Sequence, residues 1–255
     1  MYLIDTYAHT NRWRRWHTLE KLVLSAGMLL LSLILPPWPG AALVFAAMTL
    51  LTTRGAGVPF GFYARLLLPP LGFILASAAA LAVSVTVGPR VGWHVSFSPT
   101  GAAVAYPLLL RSLGATSSLY LLALTTPVVD LLSTLRRWGL PQFVLDLMLL
   151  SYRFLFVLTD TARAMGTAQA SRLGYGDLRT ARRSLGLLIA SLIRRVLVRA
   201  NRLEQGLAAR GYDGNLAVLS PEQALAPANL GRIVTLELLV VTLSLYLKEL
   251  WTWPR

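Results

Sequence analysis

The chain has 255 residues, of which 55% are hydrophobic and only 14% are charged, whereas soluble domains carry about 25% charged residues. This composition excludes a disordered protein, argues against an ordinary cytosolic one, and indicates a protein that crosses a membrane several times. The formal net charge is +13, and cysteine is absent, which excludes disulfides, thiolate metal ligands and cysteine nucleophiles.

Five apolar segments predict transmembrane helices, because a helix needs about 20 apolar residues to cross the hydrocarbon layer. In chain order they are residues 19–35, 40–53, 66–87, 113–132 and 233–250. Glu20 and Lys21 stand at the start of the first segment, and we expect their long side chains to reach the membrane interface. Glu237 lies about one turn inside Arg232 in the last segment, so the same reach or an ion pair would account for it.

We predict that a sixth apolar segment, residues 143–158, does not span the membrane. Asp146, Arg153 and Asp160 recur every seven residues and therefore share one stripe of a helix. Three ionisable groups on one face are costly against lipid. We predict an amphipathic helix that lies across the membrane surface or packs beneath other helices.

The distribution of positive charge orients the chain. Arginines at positions 12, 14 and 15 predict a cytoplasmic N-terminus by the positive-inside rule. Four spans then return the chain to the cytoplasm at Arg136, so the arginine-rich stretch up to Arg210 stays inside. The predicted organisation is a membrane domain over residues 1–135, a cytoplasmic domain over residues 136–230, and a final transmembrane helix over residues 231–255.

The helical spacing of apolar residues in the predicted cytoplasmic domain indicates two long amphipathic helices, residues 141–172 and 178–210. A turn joins them, and Asp177 is the predicted N-cap of the second helix. Such helices form a hairpin or a crossing pair. The predicted fold class is thus an all-α integral membrane protein with about five transmembrane helices plus two long cytoplasmic amphipathic helices.

The two amphipathic helices end in similar motifs, Ser171-Arg172-Leu173 and Ala209-Arg210-Gly211. A small residue beside an arginine allows a helix end to approach another surface closely, and the guanidinium offers a planar set of donors. Arginine and glycine also serve simply to cap helix C-termini. Both interpretations fit each motif alone, and the duplication favours a docking role.

Residues for chemistry are missing from the sequence. There is no Gly-x-x-x-x-Gly-Lys-[Ser/Thr] phosphate-binding loop, and His9, His17 and His94 lack metal-ligand spacing. An integral-membrane lipid-modifying enzyme is the alternative class, but it needs clustered carboxylates, and the acidic residues nearest to the second motif are scattered: Glu204, Asp213 and Glu222. Nucleic-acid binding by residues 178–210 would need stacking aromatics, and that segment has none. We therefore predict no catalytic residue, no metal ligand and no nucleic-acid partner.

The order of landmarks along the chain resembles the transmembrane coupling (T) component of energy-coupling factor transporters, within the CbiQ family of cobalt transporters. The matching segments are Ile4-Asp5-Thr6-Tyr7-Ala8, His17-Thr18-Leu19-Glu20-Lys21-Leu22, Thr125-Thr126-Pro127, Asp130-Leu131-Leu132 and Leu140-Pro141. The two arginine motifs resemble that family's paired Ala-Arg-Gly signatures. The second motif matches well, whereas Ser171-Arg172-Leu173 keeps only the arginine.

This resemblance implies a non-catalytic scaffold, in the bacterial inner membrane, of an ATP-driven importer for cobalt ions. Two ATP-binding cassette ATPase subunits would bind ATP-Mg and hydrolyse it, while this chain binds no cofactor. Ser171, Arg172, Leu173, Ala209, Arg210 and Gly211 would dock into those subunits. A separate cobalt-binding membrane subunit, the S component, would hold the ion. The ion itself stays open, because a T component for nickel or a vitamin would leave the same pattern.

Overall fold

The computed structural model describes residues 2–88, 92–212 and 225–252. The helices are α1 (Tyr2–Thr10), α2 (Thr18–Ile34), α3 (Ala42–Leu50), α4 (Phe60–Ala82), α5 (Pro99–Thr125), α6 (Val128–Arg137), α7 (Gln142–Ala170), α8 (Leu178–Ala208) and α9 (Pro227–Thr252). Strands β1 (Val83–Gly88) and β2 (Gly92–Phe97) form one antiparallel hairpin between α4 and α5. The protein is an all-α integral membrane protein, to which this hairpin is a small addition.

The described part of the chain divides into two compact units. The first unit comprises residues 2–127 and 225–252, with α1 to α5, the hairpin and α9. The second unit comprises residues 128–212, with α6, α7 and α8.

Among the described residues, four helices are long and apolar enough to span a membrane: α4, α5, α7, and α9 up to Leu250. The first two predicted spans are shorter as regular helices, because α2 has 17 residues and α3 has 9. π-helical turns extend α3 on both sides, Pro37–Ala41 before it and Leu51–Gly55 after it. Prolines precede α3 and have no N–H to donate to a regular helix.

Two of the predicted spans had wrong boundaries. The third span was predicted over residues 66–87, but α4 ends at Ala82. The valine-rich segment after it favours a strand and pairs with β2 in the register Val83 to Phe97. The fourth span was predicted over residues 113–132, whereas α5 begins at Pro99 and ends at Thr125.

The break after α5 has a local cause. Pro127 lacks an N–H and disfavours helical backbone at the residue before it, and Thr126 is indeed extended, with φ −126° and ψ 110°. The predicted start of the fourth span, residue 113, was too late, since Pro107 and Arg111 both lie inside α5.

α7 satisfies the same length and apolarity criteria as the other candidate spans. Its polar stripe is only partly buried within the second unit. Asp146 is buried and accepts a hydrogen bond from Gln142 Nε2 at 2.8 Å, whereas Arg153 and Asp160 are exposed. The surface location of this helix stays a prediction that rests on the cost of these groups in lipid.

The core of the first unit lies around α5, which packs against α1, α2, α3 and α4. Small side chains allow the helices to approach closely: Ser25 Oγ donates to the Ser118 carbonyl at 3.1 Å. A Cβ added at Gly114 would lie 3.0 Å from Ser32 Cβ. Small residues at helix contacts are characteristic of packing inside membranes.

α7 and α8 in the second unit are joined at the turn between them. Gln169 Nε2 donates to the Ser184 carbonyl at 2.9 Å, and Ser184 Oγ donates to the Gly174 carbonyl at 2.8 Å. The predicted helices 141–172 and 178–210 are thereby confirmed as a hairpin-like pair. Part of the predicted apolar stripe of α8 is half-buried, at Leu188 and Leu192, while Ile189 and Ile193 are exposed within this unit.

Candidate functional site

The last turn of α7 closes by a specific hydrogen-bond pattern. Leu173 N–H donates to the Ala170 carbonyl at 3.0 Å, and Gly174 N–H donates to the Gln169 carbonyl at 2.9 Å. This pair of bonds defines a Schellman motif with Arg172 as the C-cap residue.

The last turn of α8 repeats the pattern. Gly211 N–H donates to the Ala208 carbonyl at 3.1 Å, and Tyr212 N–H donates to the Leu207 carbonyl at 3.0 Å. Arg210 is therefore the C-cap residue of α8. The similarity that the sequence showed between the two motifs is a similarity of backbone structure.

The residue after each arginine adopts a left-handed conformation. Gly211 has φ 70°, and Leu173 has φ 59°. The left-handed region suits glycine and costs other residues about 1–2 kcal/mol. Leu173 thus departs from the glycine-containing motif in side chain but keeps its backbone geometry, and its side chain is 81% exposed.

We expect Leu173→Gly to stabilise the protein by about 1 kcal/mol, because glycine adopts this conformation without the steric cost. The measurement is thermal unfolding of the purified chain in detergent. Leu187→Gly is the matched control, since Leu187 is also exposed but lies inside α8, where glycine costs about 0.5–1 kcal/mol. If the two substitutions shifted the unfolding temperature in the same direction, this account of Leu173 would be contradicted.

Arg172 and Arg210 are both exposed. Within residues 2–88, 92–212 and 225–252, neither forms an ion pair. A cation is favoured near the negative end of a helix dipole. An exposed guanidinium there can also accept a carboxylate or several carbonyl groups from another protein.

A groove of about 710 Å³ runs between α7 and α8. Its walls combine apolar side chains with six arginines, and no acidic residue lines it: Leu150, Arg153, Phe154, Val157, Leu158, Thr161, Arg194, Arg195, Val198, Arg199, Arg202, Leu203 and Arg210. The Arg199 guanidinium lies 6.0 Å from the centroid of the Phe154 ring, within cation–π range. Arg210 lines this groove and Arg172 does not, so the structure does not bring the two motifs into one pocket.

Asp177 caps α8, as the sequence predicts. Its Oδ1 accepts the Arg179 N–H at 2.6 Å, and its Oδ2 accepts the Thr180 hydroxyl at 2.9 Å. The backbone hydrogen bond from Arg179, followed by the Thr180 hydroxyl, lowers the pKa of Asp177 below its ordinary value of 3.8. Both bonds favour the ionised carboxylate.

This depressed pKa predicts a specific pH dependence. The cap stabilises α8 fully above pH 3.8, and its contribution is lost as the pH falls through the lower pKa of the folded state. Asp177→Asn keeps an oxygen acceptor but does not titrate, so we expect its thermal midpoint in detergent to fall less than that of the wild type on acidification. Identical acid profiles would show that this carboxylate does not contribute.

His9 and His17 are placed by local contacts, and the side chain of His94 lies outside the described residues. His17 Nδ1 accepts the Leu19 N–H at 3.0 Å and so caps α2. His9 Nε2 lies 3.8 Å from Asp5 Oδ1. No group of three potential ligands occurs in the described part of the chain. Two acidic residues near the second motif, Asp213 and Glu222, lie outside the described residues.

Several ionisable groups in the first unit differ from the sequence expectation. Glu20 and Lys21 were expected at the membrane interface, but they are buried, with exposures of 0% and 1%. Glu237 was expected to snorkel or form an ion pair. Instead its Oε1 is buried without a hydrogen-bond partner among the described atoms, and its carboxyl group lies where a Cβ on Gly27 would be.

Arg111 was missed altogether by the sequence analysis. It lies in the middle of α5, and its Nε is buried without a partner among the described atoms. Charged groups inside transmembrane helices are costly and are functional candidates. The sequence signal that could have identified this residue is that Arg111 is the single arginine within the long apolar stretch from Ala102 to Thr125.

These features define the class of the protein. It is a polytopic all-α membrane protein with a pair of arginine-ended amphipathic helices. A family model described as "Cobalt transport protein", that of CbiQ, matches residues 10–219, which include both arginine motifs. The chain belongs to the CbiQ family of cobalt transport proteins and is a membrane component of a cobalt transporter.

Individual relatives agree with this assignment. The cobalt transport protein CbiQ of Rhodobacter capsulatus is 43% identical over 244 residues, which cover 96% of this chain and 98% of the relative. The CbiQ protein of Salmonella typhimurium is 29% identical, covering 83% of this chain and 97% of the relative. A putative fused cobalt transport protein, CbiMQ, of Methanocorpusculum labreanum is 32% identical over 76% of this chain and 33% of its own length.

Proposed function

We propose that the chain is the coupling (T) component of an energy-coupling factor importer for cobalt. In this role it binds two ATP-binding cassette ATPase subunits and a separate cobalt-binding membrane subunit. It converts the movement of the ATPases into movement of the substrate-binding subunit, and it catalyses no reaction itself.

The observation that carries the proposal is the matching geometry of the two helix ends. Arg172 and Arg210 occupy the same C-cap position in two identical hydrogen-bond patterns, and both residues are exposed. Two equivalent docking elements suit a partner that is present in two copies. Each element offers one guanidinium for charge-assisted hydrogen bonds, which are stronger than neutral ones.

The ATP-hydrolysing role is assigned to partners because the sequence lacks a phosphate-binding loop of the Gly-x-x-x-x-Gly-Lys-[Ser/Thr] type. ATP and Mg²⁺ would bind to those partners. The fused CbiMQ relative supports a further partner, because its CbiQ-like part shares a chain with additional sequence.

Co-purification tests this assignment. The tagged chain would be expressed together with candidate ATPase subunits and a candidate membrane partner, then purified in mild detergent. We expect two ATPase subunits to co-purify, and the reconstituted complex to import radioactive cobalt only with ATP. Turnover of a lipid substrate by the isolated chain, without co-purifying ATPases, would favour the alternative of a lipid-modifying enzyme.

The cytoplasmic location of α8 and of the N-terminus in a bacterial inner membrane is part of the proposal. Since the natural chain has no cysteine, single cysteines report topology directly. We expect Thr100→Cys, at the start of α5, to react in intact cells with a membrane-impermeant maleimide, and Ala200→Cys, in α8, to react only after permeabilisation. Both positions are exposed. Labelling of Ala200→Cys in intact cells would contradict the orientation.

A further inference from the structure

Glu20 and Lys21 are adjacent residues in the first turn of α2, and both are fully enclosed by the first unit. Long charged side chains are almost never fully buried unless they have partners. Their partners here are the ends of two other helices, which are far away in sequence.

Glu20 holds the beginning of α9. Its Oε1 accepts the Ala226 N–H at 2.9 Å, and its Oε2 accepts a hydrogen bond from Asn229 Nδ2 at 3.0 Å. α9 begins at Pro227, so the carboxylate lies at the positive end of its helix dipole, where an anion is favoured. Both carboxylate oxygens are therefore used on one helix end.

Lys21 holds the end of α5. Its Nζ donates to the Thr125 carbonyl at 3.0 Å, and Thr125 is the last residue of α5. A cation is favoured at this negative end of the helix dipole. Asn11 supports the same point, since its Nδ2 lies 3.3 Å from the Thr125 carbonyl oxygen.

The end of α5 lies beside the place where the chain leaves the first unit, and the start of α9 lies near the beginning of the described segment that belongs to that unit again. The division between the units falls after Pro127, two residues beyond Thr125. On the return, Ala226 is the second described residue. One buried pair on α2 thus holds the last residue of α5 and the start of α9, the two helices that precede and follow the segment carrying Arg172 and Arg210.

Buried charges contribute little net stability, because removing them from water costs about as much as their interactions return. What such a pair does supply is a fixed geometry, since each hydrogen bond needs a defined distance and direction. A displacement of either helix end must then move α2 or break a hydrogen bond to a buried charge.

We propose that Glu20 and Lys21 form the mechanical anchor through which movement of the second unit's segment is transmitted to α2, α5 and α9. They are positioning residues for transport. The inference rests on the proposed coupling function, and it predicts that weakening the anchor separates ATP hydrolysis from uptake without releasing the ATPases.

The first test uses reconstituted complexes of the full chain. Glu20→Ala removes both acceptors, and Asn229→Ala removes one donor while leaving the carboxylate and its bond to Ala226. Glu249→Ala is the control, since it removes a carboxylate near the other end of α9. We expect the ratio of cobalt imported to ATP hydrolysed to fall severalfold in Glu20→Ala, which loses both hydrogen bonds of the carboxylate, and by a smaller factor in Asn229→Ala, which loses one of them. The control should retain the wild-type ratio.

A merely structural role would lower yield and thermal stability but leave that ratio unchanged, and this result in a folded Asn229→Ala complex would overturn the proposal. The same variant decides the matter if Glu20→Ala does not fold. Failure of the wild-type chain to bind ATPases is a separate outcome, which refutes the coupling function.

Hydrogen exchange of the isolated chain tests the anchor without any partner. Asn229→Ala is expected to accelerate exchange at the Ala226 amide and also at the Thr126 amide, because both helix ends depend on adjacent residues of α2. Acceleration at Ala226 alone would show that the two helix ends are independent, and would overturn the anchor even if the coupling function holds.

Discussion

Replacing both Arg172 and Arg210 by alanine is expected to abolish ATP-driven cobalt uptake while the chain stays folded in the membrane. Each exposed guanidinium can make several charge-assisted hydrogen bonds to a partner, and such bonds contribute about 1.5–3 kcal/mol each. Loss of one arginine should weaken ATPase docking by about tenfold or more and leave the other helix end bound. Loss of both should release the ATPases or uncouple their hydrolysis from uptake.

The lysine variants sharpen this prediction. Arg172→Lys and Arg210→Lys keep the positive charge at the helix end but lose the planar fork of donors. If the arginines only cap their helices, lysine should substitute fully, because the dipole responds to charge. We therefore expect lysine to restore uptake only in part.

Uptake and ATPase rates of reconstituted complexes are the measurements, and Arg183→Ala is the matched control. Arg183 is an exposed arginine of α8 that is neither at a helix end nor among the groove residues. Simple capping predicts that alanine costs less than about 1 kcal/mol at either position. Normal uptake by the double alanine variant would leave capping as the better explanation.

Gly174→Ala is expected to destabilise the junction of α7 and α8 by about 1–3 kcal/mol, the usual cost of overpacking. A Cβ at this position would lie 2.7 Å from Ser184 Oγ and 2.8 Å from the Gln169 carbonyl oxygen. Ser184 Oγ donates to the Gly174 carbonyl, so relief of the clash must move the turn that follows Arg172. Docking through the α7 end should weaken along with stability.

Gly186→Ala is the control for this substitution. Nothing lies within 4 Å of a Cβ at Gly186, which is inside α8, and alanine there should stabilise the helix by up to about 1 kcal/mol. Thermal unfolding in detergent and cobalt uptake are measured for both variants. A Gly174→Ala protein that is as stable as Gly186→Ala would show that the close contact at the turn is absent.

Local and periodic signals in the sequence were sufficient for α7 and α8, but not for α6, whose first residues were predicted as the end of the fourth span. The 3.6-residue pattern predicted residues 141–172 and 178–210 as helices, and they form Gln142–Ala170 and Leu178–Ala208. Asp177 was correctly predicted as an N-cap because capping depends on residues close in sequence. The likeness of the two arginine motifs was visible for the same reason, although only the structure shows that Leu173 adopts the backbone of a glycine.

Span boundaries were less predictable because hydropathy does not distinguish a helix from a valine-rich strand. The apolar stretch after Ala82 continues the pattern of α4 but pairs with β2, and a strand pairing depends on its partner. Arg111 interrupted the apolar pattern of α5 without interrupting the helix. The sequence shows that a charged residue lies in an apolar segment and is therefore costly in lipid. Which groups surround that residue is decided only by the packing of the other helices.

The sequence by itself therefore determined the class of the protein, its long amphipathic helices and their arginine ends, since these depend on composition, periodicity and residues within one turn of each other. The tertiary structure alone decided the role of Glu20 and Lys21. From sequence they are charges at the start of an apolar segment, and the interface is the least costly place for them. Their hydrogen-bond partners lie 206 and 104 residues away, so their burial follows from the assembly of α2, α5 and α9, which no local pattern encodes.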